Sequence, residues 1–370
     1  MSARKRIGVS ATAVLVSLAG CELVARGVFP APPDPTRQPQ IVFQYDPEIR
    51  YVPMPNQHGW VDDGFVNTNS LGFRGREFAL PKPQGRIRVV AVGDSVTFGF
   101  GVNDNETFCW QAEQLLKTRT PGVDIEILNL AVPGYDTRQE VGLLKRNVSA
   151  LQPDLVLVGF YTNDVPDALT EKDSPTAGGT TIATAHPAAG QVLHMSPAPV
   201  SWWDRQLRKS RAIYVGGHAL KGLIRRGEGK AGSSLELDLL ENRNSPQLET
   251  AWARISSQLA DLQAVATAFD FRVGLIVLPP REQVTGRFLD SQYQRRVQAI
   301  AATHGFFVID PLPTLVASPA RKDMLFIPYD RNHPSATGHR LIAESIVGYL
   351  DQHSEMTGIS KRVARSERSR

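Results

Sequence analysis

The chain has 370 residues, 42% of them hydrophobic and 21% charged, an ordinary globular balance with length for one large core or two modest ones. Its formal charge of +4 is uneven, since Arg4-Lys5-Arg6 and the tail Lys361–Arg370 carry the positive excess; the body between them is mildly acidic, which argues against a nucleic-acid partner. Two cysteines, Cys21 and Cys109, are too few for a disulfide framework, and no Cys/His spacing resembles a zinc site.

The N-terminus reads as a targeting segment. Arg4-Lys5-Arg6 forms a positive region, and Ile7 to Ala19 a mostly apolar one, too short for a standard spanning helix. It runs into Leu18-Ala19-Gly20-Cys21, which looks like a bacterial lipobox with Cys21 as the lipidated residue. The competing reading is an uncleaved anchor extending to Phe29, with Glu22 and Arg26 near the interface. A third is an apolar helix unrelated to export. The first two imply an exported, membrane-tethered protein. Residues 30–40 are proline-rich and read as an extended, non-globular spacer. Residues 41–80 are aromatic and loop-rich, a short preface to the main domain.

From Arg86 strands alternate with helices. Ile87–Val92 is a strand of β-branched and small apolar residues with Arg88 near its start. Glu106–Lys117 has helical apolar spacing, with Asn105 or Asp104 as its cap. A strand at Ile125–Leu130 and a helix at Thr137–Leu151 follow, then a strand at Leu155–Phe160. After an interruption come a helix at Trp252–Ala268, a strand at Val273–Leu278, a helix at Gln292–Thr303, a strand at Phe306–Ile309 and a closing helix at Ala336–Leu350. Five strands separated by helices imply a parallel sheet covered on both faces. The interruption, about 166–250, holds a low-complexity tract at 176–181, Trp202-Trp203 and a basic amphipathic piece ending at Arg226. An insertion of that size reads as a lid, a substrate wall or a plain surface excursion.

Four short stretches carry the chemistry. Gly93-Asp94-Ser95 presents a hydroxyl just past a strand's carboxyl end, where open α/β sheets place ligands. Asp330 precedes His333 by three residues ahead of a helix, so its carboxylate can orient one imidazole nitrogen while the other takes a serine proton. Pro133-Gly134 ends the second strand with a turn that frees an amide, and Asn163 ends the third with a side-chain amide. Ser95 N–H, Gly134 N–H and Asn163 together offer three donors to one oxyanion. His339, further into the last helix, reads as structural.

In these blocks the chain resembles the SGNH (GDSL-type) hydrolase superfamily, from about Asn69 to Leu350 without the insertion. The resemblance implies a flavodoxin-like three-layer α/β/α sandwich with a five-stranded parallel sheet, and esterase-type acyl chemistry with no metal or organic cofactor. One departure is Tyr161, which stands where the third block, Gly-x-Asn-Asp, usually has its glycine. The expected activity is hydrolysis of a small-molecule or carbohydrate ester: Ser95 as nucleophile, His333 as base, Asp330 as its orienter. Acyl transfer to a cell-surface glycan and a non-catalytic glycan-binding scaffold are the alternatives. No Gly-x-Ser-x-Gly elbow is present, which disfavours an α/β-hydrolase fold.

Overall fold

The computed structural model describes residues 3–32, 34, 37–170, 191–194, 206–207, 209–227, 234–330 and 332–353. The tract at 176–181, Trp202-Trp203, residues 228–233 and the basic tail from 354 lie outside them. The chain divides into two compact units: Met1–Thr36 with Ala198–Ala231, and Arg37–Pro197 with Gly232–Arg370.

The first unit contains the helices Ala3–Val28 and Arg211–Gly227. Cys21 is exposed with a free thiol. Among the described residues no helix is long and apolar enough to cross a membrane.

In the second unit the chain opens with two hairpins, β1 (Val42–Asp46) with β2 (Arg50–Pro53) and β3 (His58–Val61) with β4 (Gly64–Asn67). The central sheet follows: β5 (Ile87–Gly93), β6 (Ile125–Asn129) and β7 (Leu155–Phe160). The short β8 (Val192–His194) pairs back onto β1. Then β9 (Arg272–Val277) and β10 (Phe307–Ile309) complete the central sheet, whose order is β10-β9-β7-β5-β6, all parallel. Alternation along β5 sends Ile87, Val89 and Ala91 into one core and Val90 and Val92 into the other. Helices Phe108–Arg119 and Ala336–Gln352 cover the first core; Thr137–Leu151, Pro246–Phe269 and Gln292–Thr303 cover the second. The expected three-layer α/β/α architecture is therefore present. The strand order reverses between β5 and β7, making their carboxyl ends the switch point where such sheets hold ligands.

The preface is more ordered than its composition suggests. Ile41, Phe43, Tyr51 and Val66 are buried in the second core. The spacer also ends on a sheet edge: Pro39 O accepts from Trp60 N (2.8 Å), and Arg37 stacks its guanidinium 4.4 Å from the Trp60 ring centroid. A proline can do this because only its carbonyl is used.

Candidate active site

The turn after β5 is built by its own side chains. Asp94 takes an extended conformation and its Oδ1 accepts from Val96 N (2.8 Å), capping the one-turn helix Ser95–Phe98. Burial pushes the Asp94 carboxyl up, opposed by that amide, by the charge of His333 and by a hydrogen bond from Asn163. Thr97 lies over Gly93 and Gly159, register partners on β5 and β7. A Cβ on Gly159 would come within 1.8 Å of Thr97 Oγ1. The absence of side chains there lets the helix sit directly on the sheet and leaves Ser95 half-buried at its edge.

His333 reaches the same point from the loop before the last helix. Asp330 Oδ1 accepts from the backbone amides of Asn332 (2.7 Å) and His333 (2.8 Å), and its Oδ2 lies 2.8 Å from His333 Nδ1. Burial opposes charge on Asp330, but the His333 hydrogen bond, the charge of His333 and the two amides outweigh it, holding the carboxyl below its ordinary value. An ionised carboxylate only accepts, so Nδ1 carries the proton and Nε2 is left to accept from Ser95 Oγ, 2.8 Å away. The Phe100 ring stacks on the imidazole at 4.6 Å between centroids.

Gly134 and Asn163 follow the strands on either side of β5. The Gly134 loop is tied to the Ser95 turn, because Val132 N donates to Gly93 O (3.0 Å). Gly134 itself has φ +78°, a left-handed conformation that suits glycine. Asn163 Nδ2 donates to Asp167 Oδ2 (3.4 Å), and its Oδ1 is buried with no partner among the described residues. Asp164 joins these two loops, accepting from Tyr161 N (2.8 Å) and from Thr137 Oγ1 (3.2 Å). Tyr161, the departure from the family pattern, turns its side chain into the core, 3% exposed. It does not narrow the mouth of the site.

Several residues that shape the site escape a reading by motif. The preface grips two of its loops. Arg74, fully buried, pairs with Asp104 (2.9 Å) and donates to Phe98 O, Gly99 O and Val102 O (2.8, 2.6 and 2.6 Å). Tyr51 donates to Pro133 O (2.6 Å), and Gln139 to Ile49 O (2.9 Å), bracing the Gly134 turn from the β1–β2 hairpin. Asp62, in the β3–β4 turn, lies against Gly101 and feels the charges of the site. Burial, then Asp63 and Asp330, push its carboxyl up to about 6, with His333 opposing. The only sequence signal for these contacts was the cluster of polar and aromatic residues in a stretch read as loop. His339 is structural, as expected: it is buried and its Nδ1 accepts from Phe108 N (3.3 Å).

A search of curated proteins finds no match. Among solved structures the chain is similar to TesA, at 13% identity and TM-score 0.41, covering 72% of this chain and 98% of that one. It is also similar to LAE5, an α/β hydrolase enzyme from the metagenome of Lake Arreo, Spain, at 14% identity and TM-score 0.41, covering 75% and 98%. A catalytic mutant of Axe2, an acetylxylan esterase from Geobacillus stearothermophilus, matches at 15% identity and TM-score 0.40, covering 72% and 93%. The sequence model of the GDSL-like lipase/acylhydrolase family matches residues 91–341, from the end of β5 into the last helix. The chain belongs to the GDSL-like lipase/acylhydrolase family.

Proposed function

We propose that this hydrolase is a serine esterase acting on carboxylic esters. One observation carries the reading: Ser95 Oγ, the His333 imidazole and the Asp330 carboxylate form a hydrogen-bonded row, two contacts of 2.8 Å, at the switch point of the sheet. In the proposed reaction His333 Nε2 takes the Ser95 proton as Oγ attacks the ester carbonyl. Asp330 holds the imidazole's tautomer and offsets the positive charge that it acquires. Ser95 N–H, Gly134 N–H and the Asn163 amide stabilise the oxyanion. The imidazolium then protonates the leaving alcohol. Water, deprotonated by the same nitrogen, attacks the acyl-enzyme and releases the acid. Reaction with a serine-directed fluorophosphonate, followed by peptide mass analysis, tests the assignment. A single adduct on Ser95 supports it; an intact protein under conditions that modify a control esterase contradicts it.

We also read the N-terminal segment as an export signal that tethers the enzyme through lipidated Cys21. Its support is the lipobox-like Leu18-Ala19-Gly20-Cys21 behind a basic and apolar leader, with the cysteine exposed. Cys21→Ser would then leave a precursor retaining its first 20 residues. An unmodified N-terminus on the native, detergent-extracted protein contradicts the lipidation.

A further inference from the structure

The helix Arg211–Gly227 turns its apolar side away from the helix that it packs on. Its start is held by Glu22, whose carboxylate accepts from Arg211 N and Ala212 N (3.1 Å each) and from Ser210 Oγ (2.8 Å). Arg211 Nη1 donates in return to Arg26 O and Phe29 O (2.9 Å each), and Arg26 Nη2 to Lys209 O (3.2 Å). These bonds fix how the helix is rotated. Arg211, Ala212, Tyr214 and Val215 are half-buried, whereas Gly216, Gly217 and Ala219 are exposed. Ile213 and Leu220, two turns apart on the outer stripe, are 52% and 59% exposed.

An amphipathic helix in water normally aims that stripe at a core. Within the same unit the helix Ala3–Val28 likewise exposes Val14, Leu15, Val16, Leu18, Leu23 and Val24. The sequence from Gln206 to Gly227 carries Arg208, Lys209, Arg211, Lys221, Arg225 and Arg226 and no acidic residue. Two copies packed through this face would bring those like charges together. A bilayer with anionic headgroups meets both demands: hydrocarbon for the stripe, and negative charge for the basic residues that this stretch of sequence carries.

We infer that Arg211–Gly227 is an in-plane membrane-surface helix, its Ile213/Leu220 stripe seated at the headgroup–acyl boundary of an anionic leaflet and its rotation set by the Glu22 cap. This extends the tether reading but fails separately from it, and it does not depend on the esterase reading.

The test uses the full chain with Cys21→Ser and a single environment-sensitive dye at Leu220→Cys or, independently, at Ile213→Cys; a dye at Met324→Cys, an exposed residue of the other unit, is the aqueous control. Vesicles of phosphatidylcholine, with and without phosphatidylglycerol, supply the surface. The expected result is blue-shifted emission at 213 and 220 that lipid-borne quenchers reduce, with 324 unchanged. Binding should be at least about tenfold tighter to the anionic vesicles, since each engaged basic side chain adds roughly fivefold. Leu220→Ser should weaken it about tenfold or more, the loss of one buried leucine. Circular dichroism checks that each variant is folded. Bound protein with water-like emission at both positions overturns the inference and leaves the tether standing. No vesicle binding overturns the inference as well, and leaves standing the lipid tether, which this variant lacks. A blue shift that grows with protein concentration without lipid overturns it in favour of a second copy.

Discussion

Ser95 is ordinary as a residue and unusual only in its surroundings. Its hydroxyl meets an imidazole whose other nitrogen is committed to Asp330, and Phe100 limits the ring's movement. The motif blocks made this row legible in the sequence, because Asp330 and His333 are close in the chain and Gly93-Asp94-Ser95 ends an obvious strand. Phe100, Asp62 and Arg74 were not legible, since each acts through a contact that exists only once distant segments meet. Asn163 carries the prediction at this scale. Its amide makes a long contact to Asp167 (3.4 Å) and hydrogen-bonds Asp94, while its Oδ1 has no described partner; these contacts place the side chain beside the Ser95 turn, and an oxyanion can take over the long one. Asn163→Ala should lower kcat by about 10²–10³ with little change in KM, as loss of one oxyanion donor does. Steady-state kinetics on an aryl ester checks this; a raised KM at constant kcat would make Asn163 a ground-state binding residue instead.

At the scale of elements, agreement between sequence and structure follows the strength of local signals. The helices at 137–151 and 292–303 begin and end where the pattern predicts, because Asp136 and Ser291 cap sharply periodic segments. The helix expected from Glu106 starts at Phe108 with Thr107 as its cap. Asp104, Asn105 and Glu106, which look like a helix start, form a separate turn capped by Asn103. The helix expected from Trp252 begins at Pro246, and the overlooked signal was Ser245-Pro246, a cap followed by proline at the first position. The hairpins of the preface escape a sequence reading because their strands have only four or five residues and β1 finds its second partner at 192–194. The one-turn helix on the sheet gives the prediction here. Gly159→Ala should force Thr97 off β7, destabilise the fold by about 1–3 kcal/mol and lower activity by displacing Ser95. Thr97→Ala, which removes the colliding hydroxyl, should recover part of both losses in the double variant. Denaturant unfolding and kinetics of the two single variants and the double variant measure the coupling; purely additive effects would mean the two side chains do not compete for this space.

Across the whole molecule, buried titratable groups tie stability to pH. Burial, with the charges of Arg74 and His333, lowers the His339 pKa to about 3, against about 6.5 in an unfolded chain. Between those values the unfolded state binds a proton that the folded state refuses. Stability therefore falls as pH drops below about 6.5, by at most about 1.4 kcal/mol per pH unit from this group. Above that range His339 is neutral in both states and contributes no slope. Asp62 acts in the opposite sense: held at about 6, it takes up its proton in the folded state first and stabilises the fold as pH falls toward the unfolded aspartate value near 3.9. Asp330, depressed, loses its contribution only below that value. His339→Gln keeps an acceptor for Phe108 N and removes the titration. Urea unfolding at pH 7.5 and pH 5 should show wild type losing about 1–2 kcal/mol more than the variant over this interval; equal losses would place the pH dependence elsewhere.

The central claim is that Ser95 is the nucleophile of an esterase, and the most direct measurement is the turnover of a simple aryl ester by Ser95→Ala beside wild type. The substitution removes a half-buried hydroxyl bonded to His333 and little packing, so the melting temperature should stay close to that of wild type. Turnover should fall by roughly 10⁴-fold or more, as loss of a triad nucleophile does. A folded Ser95→Ala protein that keeps even about a tenth of wild-type activity would contradict the account.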